Sequence, residues 1–223
     1  MSFVTTIKQQ FEANENVAYG KKQSDYLKNN FPFYGIQTQA RRDILKNCTS
    51  VYKDEIKTNF RAICWQLYQF PHREMHHAAI DIFIKEIKNN YQIEDIVLIE
   101  KLLLTNSWWD SVDTLAKYAV GGYLETFPEK TLEIIENFSN SEAMWLNRTA
   151  IIFQLGYKQK TDFNILVSEC EKHKHSNEFF IQKAIGWSLR DYGRFNPNAV
   201  KSYVENTNLK PLSKKEALRN ILK

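Results

Sequence analysis

A small residue recurs along the chain at intervals in the mid-thirties. Ala79, Ala116, Ala150 and Ala184 lie 37, 34 and 34 residues apart, and all but Ala116 are followed by isoleucine. Repeats of this length with two helices each are typical of α-solenoids, in which each helical pair buries its apolar side against the next pair. A small residue at one slot suits the close packing of neighbouring helices. The spacing therefore predicts an all-α fold built from stacked helical pairs.

Apolar residues recur with helical periodicity in nearly every segment. Between Asp54 and Phe70 they form a stripe down one side of a helix, at Ile56, Phe60, Ile63, Cys64, Leu67 and Tyr68. Seven Gly and five Pro leave few turn residues, which favours helices joined by short loops. We predict roughly a dozen helices and no strand, in an α-solenoid of HEAT-like or TPR-like repeats with a concave basic groove.

Two weaker sequence signals concern the number of domains and the start of the last helix. No linker or low-complexity stretch divides the chain, so residues 1–223 are predicted to form a single domain. Ser213 and Glu216 have the spacing of a capping box, which predicts that a last short helix begins at Ser213.

Composition excludes several classes of protein. No apolar run is long enough to span a membrane, and no secretory signal precedes the first helix. Three scattered cysteines without CxxC spacing argue against a disulfide scaffold or a zinc site and suit a cytoplasmic location. The pair His76 and His77 lacks the spacing of a zinc helix, and both are predicted to lie on the surface. The net charge of +4 is compatible with a polyanionic partner but does not identify one.

The helix that starts near Ser107 carries the first candidate site. Trp109 and Asp113 are four residues apart and therefore share a face, whereas Trp108 is turned by about 100° and is expected in the core. An indole beside a carboxylate is compatible with a catalytic pair. It is also compatible with a core tryptophan next to a solvated aspartate, and spacing alone leaves both open.

A second candidate site lies in the helix from Asn177 to Arg194. Lys183, Trp187, Arg190 and Arg194 follow helical offsets, and Phe179 lies near the same face, so an aromatic sits in a basic stripe. The opposite face supplies the core, which leaves Trp187 free for a ligand. An equally good alternative is that Trp187 lies at an interface and is covered by the aliphatic parts of the Lys and Arg side chains.

Arg148 lies close to the small-residue slot of its repeat. An arginine near a packed seam needs an anion, either a carboxylate such as Asp113 or a phosphate. A structural ion pair and a phosphate contact both remain open at this point.

Taken together, these segments resemble one known family, the AlkD-like DNA alkylation repair glycosylases, which have HEAT-like repeats. The similarity rests on residues 107–113 (SWWDSVD), 154–160 (QLGYKQK) and 179–187 (FFIQKAIGW). It extends to residues 35–38 (GIQT) and 211–214 (PLSK) and so covers nearly the whole chain.

The resemblance implies a function and a role for each candidate residue. The enzyme would hydrolyse the N-glycosylic bond of cationic alkylated purines such as 3-methyladenine and 7-methylguanine, without a metal or cofactor. Asp113, Trp109 and Trp187 would form the catalytic site at the sugar of the damaged nucleotide. DNA contacts would come from Arg148, Tyr26, Phe179, Phe180, Lys183, Arg190 and Arg194.

The partner expected from this reading is double-stranded DNA with alkylated bases, bound by a monomer that associates with the nucleoid. Two alternatives stay open: a non-catalytic HEAT-repeat protein that binds distorted or branched DNA, and a protein-interaction module. The joint presence of Trp109, Asp113, Arg148 and Trp187 favours the enzyme, because a scaffold has no need of that set.

Overall fold

The computed structural model of the chain describes residues 1–219, and within this range every regular element is a helix. The chain separates into two compact units, residues 1–90 and 91–223, which are described in turn. In the part described, the prediction of helices without strands is confirmed.

The first unit contains five helices. They are α1 (Phe3–Ala13), α2 (Val17–Tyr26), α3 (Thr38–Val51), α4 (Lys53–Tyr68) and α5 (Arg73–Ile87). The apolar stripe predicted for α4 is buried, although the helix is broken at Asn59, whose backbone is not helical. Helix α4 packs mainly on α5, and α1 packs on α3 and α4.

A buried carboxylate fixes the connection between α2 and α3. Glu74, near the start of α5, accepts hydrogen bonds from the backbone N–H groups of Tyr34, Gly35 and Ile36 at 3.1, 2.9 and 3.2 Å. Gly35 has a φ of +84°, and a Cβ there would collide with the backbone of Asn16. The turn therefore requires both glycine and the distant carboxylate.

The prediction that His76 is a surface residue is wrong, because its side chain is completely buried. Its Nε2–H donates to the carbonyl oxygen of Phe70 at 2.7 Å, and its Nδ1 accepts from the Arg73 guanidinium at 3.2 Å. Both ring nitrogens thus have partners, which allows burial. Sequence spacing excluded a metal ligand but gave no sign of these contacts.

The second unit begins with Tyr91 and contains the remaining described helices. They are α6 (Asp95–Leu104), α7 (Trp109–Thr114), a π-helical segment (Leu115–Val120), α8 (Gly121–Thr126), α9 (Thr131–Ser139), α10 (Met144–Ile152), α11 (Phe163–His173), α12 (Phe179–Tyr192), α13 (Pro197–Asn206) and α14 (Pro211–Leu218). Short 3-10 turns occupy Pro128–Lys130 and Lys158–Lys160. Consecutive helices pack in pairs, α9 on α10 and α11 on α12.

The alanines of the repeat lie where the pattern predicts. Ala79 is buried in the first unit, and Ala116, Ala150 and Ala184 are buried in the second. Ala116 and Ala184 belong to a single apolar cluster of the second unit. A small side chain at this slot lets helix backbones approach each other closely.

The last described helix begins two residues before the predicted start. Pro211 occupies its first turn, which suits proline because an N–H is not required there. Ser213 does not cap the helix, since its hydroxyl donates to the carbonyl oxygen of Gln182 on α12 at 3.0 Å. The predicted capping box is therefore wrong.

Candidate nucleic-acid interface and active site

A two-bond ion pair joins Asp113 on α7 to Arg148 on α10. Arg148 Nε donates to Asp113 Oδ1 at 2.7 Å, and Arg148 Nη2 donates to Asp113 Oδ2 at 2.9 Å. The Arg148 side chain is 5% exposed and that of Asp113 is 16% exposed. Bidentate geometry of this kind fixes the plane and the direction of the carboxylate.

Burial and the ion pair act on Asp113 in opposite directions. Burial raises the pKa of the Asp113 carboxyl, because a charged carboxylate loses hydration there. The hydrogen bonds and charge of Arg148 lower it, and the nearby carboxylate of Asp110 raises it, so that the pKa lies above its usual value. Asp113 is therefore a partly desolvated carboxylate whose orientation depends on one arginine.

Arg148 also connects the pair to α12. Its Nη1 donates to the carbonyl oxygen of Phe180, and its guanidinium carbon lies 5.9 Å from the centre of the Phe180 ring. One buried cation thus contacts α7 and the first turn of α12 from its position on α10. Nε, Nη1 and Nη2 of Arg148 each donate to an acceptor within the protein, which leaves few of its N–H groups for a DNA phosphate.

A polar side chain sets the position of α10. The Asn147 amide nitrogen lies 3.0 Å from the carbonyl oxygens of Phe138 and Ser139 and 2.9 Å from that of Ser141. These bonds tie the turn after α9 to the first residues of α10, directly before Arg148. The local sequence thereby fixes the place from which Arg148 reaches Asp113.

Four aromatic residues pack together next to this pair. Trp108 makes edge contacts with Trp145 and Phe180 at ring-centre distances of 5.7 and 5.4 Å, and Trp145 lies 5.0 Å from Phe180. Phe179 lies 5.3 Å from Phe180 and is 58% exposed. Trp108 is half-buried rather than fully in the core as predicted, although its indole N–H is buried, and the cluster is open to solvent at Phe179.

The two tryptophans predicted to be catalytic are half-buried. Trp109 is the first residue of α7, one turn before Asp113, as the spacing predicts. Trp187 lies in the middle of α12 and packs partly against the apolar cluster of the second unit. Neither indole is sealed in the interior, so both keep surface available to a ligand.

The basic stripe of α12 is partly neutralised by a residue that the sequence analysis did not assign to the site. Lys183 Nζ lies 2.9 Å from Glu216 Oε1, and the Arg190 guanidinium binds Glu216 Oε2. Hydrogen bonds from Lys183 and Arg190 lower the pKa of the Glu216 carboxyl. Arg194 is exposed at the end of the stripe.

Only the three-residue spacing of Ser213 and Glu216 singled out Glu216 in the sequence, and it indicated a different role. An ion pair between two helices does not repeat with the helical period, so the spacing of residues along one helix does not reveal its partner on the other.

Tyr26 lies in the first unit, at the last residue of α2, and its ring is exposed. Two residues in the left-handed region, Lys28 and Asn29, follow it and end the helix. The structure places the other predicted site residues in the second unit.

Across residues 1–219, no group of three or more His, Cys, Asp and Glu side chains is arranged to hold a metal ion. Within the same residues, no helix has the length and apolar character needed to cross a membrane.

Comparison with known proteins decides the family. The model of the DNA alkylation repair enzyme family matches residues 7–221. The chain belongs to this family of DNA alkylation repair enzymes. No curated protein matches it.

Solved structures agree with the assignment to the DNA alkylation repair family. A predicted DNA alkylation repair enzyme from Enterococcus faecalis is 30% identical, with a TM-score of 0.82 over 94% of this chain and 97% of that one. AlkD2 from Streptococcus mutans is 18% identical, with a TM-score of 0.63 over 90% and 98% of the two chains. The protein smu.31 from Streptococcus mutans UA159 is also 18% identical, with a TM-score of 0.59 over 82% and 98%.

The last two likenesses show the fold alone. The predicted fold class is thereby confirmed, and a role in DNA alkylation repair is established at the level of the family.

Proposed function

We propose that the protein is a DNA N-glycosylase that releases cationic alkylated purines, such as 3-methyladenine and 7-methylguanine, from double-stranded DNA. The observation that carries this proposal is the largely buried carboxylate of Asp113, which lies on the same helix, α7, as Trp109. Two hydrogen bonds from Arg148 on α10 hold it in place. A carboxylate of fixed direction and incomplete hydration interacts strongly with a nearby positive charge.

The chemistry of the proposed substrate suits these side chains. Alkylation at N3 or N7 gives the purine a positive charge, so the base leaves as a neutral molecule without a general acid. When the bond from C1′ to the base nitrogen breaks, positive charge develops on the deoxyribose. Water then adds to C1′ and loses a proton. Glycosidases also meet such a transition state with carboxylates.

Asp113 would supply the negative charge in this step. Its carboxylate would stabilise the electron-poor sugar and orient the attacking water. A raised pKa also suits a group that accepts a proton from that water. The faces of Trp109 and Trp187 would add cation–π attraction to the same charge.

The remaining predicted residues would either contact DNA or position the residues that do. Phe179 and Arg194 are exposed and can contact a backbone or sugar directly. Lys183 and Arg190 would act next to Trp187. Tyr26 would contact DNA from the first unit. Phe180 and Arg148 are better suited to positioning, because Arg148 is buried and binds both Asp113 and the Phe180 carbonyl. Attraction between the cations and phosphates would make DNA binding weaken as salt is added.

Incubating the purified protein with duplex DNA containing 7-methylguanine and measuring the free base tests the proposal. We expect release by the wild type in the presence of EDTA. Asp113→Asn should slow it by roughly a hundredfold or more while duplex affinity is largely kept. Asp54→Asn, which changes an exposed aspartate on α4, serves as the control.

Three results would contradict the proposal. Undiminished release by Asp113→Asn would remove Asp113 from the mechanism, and EDTA-sensitive turnover would point to metal-assisted hydrolysis. Tight duplex binding without base release would favour a non-catalytic DNA-binding protein.

A further inference from the structure

One carboxylate, that of Glu216 on α14, binds two cations on opposite sides of Trp187. Lys183 precedes the indole by four residues on α12, and Arg190 follows it by three, so all three side chains lie on one face. Glu216 is 12% exposed and contacts both cations. The basic stripe beside Trp187 therefore carries its own counter-ion.

Helix α14 is held firmly against α12 at this place. Ser213 donates to the Gln182 carbonyl at 3.0 Å, and Arg190 Nη1 donates to the backbone carbonyl of Glu216 at 3.3 Å. Between these contacts the two backbones approach so closely that a Cβ on Gly186 would overlap the Cβ of Glu216. The Glu216 carboxylate consequently cannot move far from the stripe.

The two cations are held unequally. Arg190 is 18% exposed and binds both the side chain and the main chain of Glu216. Lys183 is 36% exposed, and its ion pair with Glu216 is a contact to a single oxygen. Because an ion pair with an exposed partner is weak, Lys183 is the cation that can exchange its anion.

We propose that Glu216 is an internal counter-ion that a DNA phosphate replaces at Lys183, while Arg190 stays bound to Glu216. The exchange turns Lys183 towards the backbone of bound DNA without loosening the segment around Trp187. Glu216 is thus a positioning residue that acts through Lys183 and Arg190. The inference rests on the proposed binding of DNA along α12 and deepens it.

A double-mutant cycle on DNA affinity tests this exchange. Glu216→Gln keeps the size of the side chain and removes its charge, so we expect duplex binding to tighten by about threefold to fivefold. Lys183→Met should weaken binding and lower the slope of log affinity against log salt by about 0.9, the value for one lost phosphate contact. The loss should be larger in the Glu216→Gln background, because Lys183 then has no competing carboxylate.

Fluorescence anisotropy with an unmodified labelled duplex gives these affinities without any need for base release. Glu205→Gln is the matched control, since Glu205 is exposed on α13 and pairs with Lys201. Thermal denaturation of each variant establishes that the protein is folded. We expect Glu205→Gln to tighten binding less than Glu216→Gln.

Two results would overturn the inference. If Lys183→Met leaves affinity and salt slope unchanged, Lys183 does not contact phosphate. If Lys183→Met lowers DNA affinity by the same factor with and without Glu216→Gln, Glu216 does not compete with phosphate for Lys183. A wild type that binds duplex DNA but releases no base would refute the proposed glycosylase activity, and the cycle would still decide the exchange.

Discussion

Arg148 binds both carboxylate oxygens of Asp113, and it does so from a position where neither side chain is well hydrated. Breaking such a pair from one side leaves an uncompensated buried charge. The stability of the second unit and the chemistry at Asp113 are therefore linked through one arginine.

Arg148→Ala should destabilise the protein. The change removes the partner of Asp113 and the donor to the Phe180 carbonyl, so we expect the free energy of unfolding to fall by about 3 kcal/mol. Urea denaturation followed by circular dichroism measures it. The double variant Arg148→Ala with Asp113→Ala should lose less than the two single losses together, and strict additivity would show that the residues do not interact.

The pH dependence of base release should respond to the same residue. Asp113 must be ionised to stabilise a positive sugar, so the rate is expected to fall as pH drops through its pKa. Burial already raises that pKa and Arg148 opposes the rise; without Arg148 the pKa goes higher and the acidic limb of the profile moves to higher pH. Single-turnover rates from about pH 5 to about pH 8 would reveal the shift. An unmoved limb, in protein verified as folded, would mean that another group controls it.

The neighbouring tryptophans should behave differently when replaced. Trp109→Leu removes an aromatic face proposed to meet the sugar, and we expect release to slow by about tenfold. Trp108→Phe keeps one six-membered ring in the aromatic cluster and removes the pyrrole part of the indole, whose N–H is buried without an acceptor in the described structure. It should leave the rate nearly unchanged. Equal loss in both variants would contradict the assignment of Trp109 rather than Trp108 to the site.

Gly186→Ala should weaken the contact between α12 and α14. The added methyl group would meet the Cβ of Glu216 and lie 2.9 Å from the Ser213 carbonyl oxygen, so one helix must shift. We expect a loss of about 1–3 kcal/mol in unfolding free energy, seen as a lower melting temperature. Ser188→Ala, another change on α12, provides a comparison because it adds no atom and removes a hydroxyl that contacts Ile185 and Cys170 rather than α14. A melting temperature equal to that of the wild type would show that the helices separate easily.

The sequence predicted most of what depends on helical periodicity. The buried stripe of α4, the buried alanines of the repeat and the shared helix of Trp109 and Asp113 are all local patterns. It left open whether Arg148 binds a carboxylate or a phosphate, because that choice depends on where α7 and α10 meet. In the structure Arg148 binds the carboxylate of Asp113.

Other features could not be found in the sequence. Glu216 neutralises Lys183 and Arg190 across a distance of about thirty residues along the chain, and interhelical pairs have no sequence period. The serine and glutamate at positions 213 and 216 matched a capping signal, but tertiary contacts with α12 use both side chains instead. The burial of His76 likewise depends on partners supplied by Arg73 and Phe70.

The carboxylate of Glu74 limits how the first unit can be shortened. Its charge is satisfied by three consecutive amide groups that precede α3, so a chain starting after Ile36 would keep the anion and lose its donors. Such a truncation would leave the carboxylate at the start of α5 without the hydrogen-bond donors that satisfy it in the intact chain. The opening segment is thus a structural partner of a helix that starts almost forty residues later, and engineering that trims it would have to replace Glu74 as well.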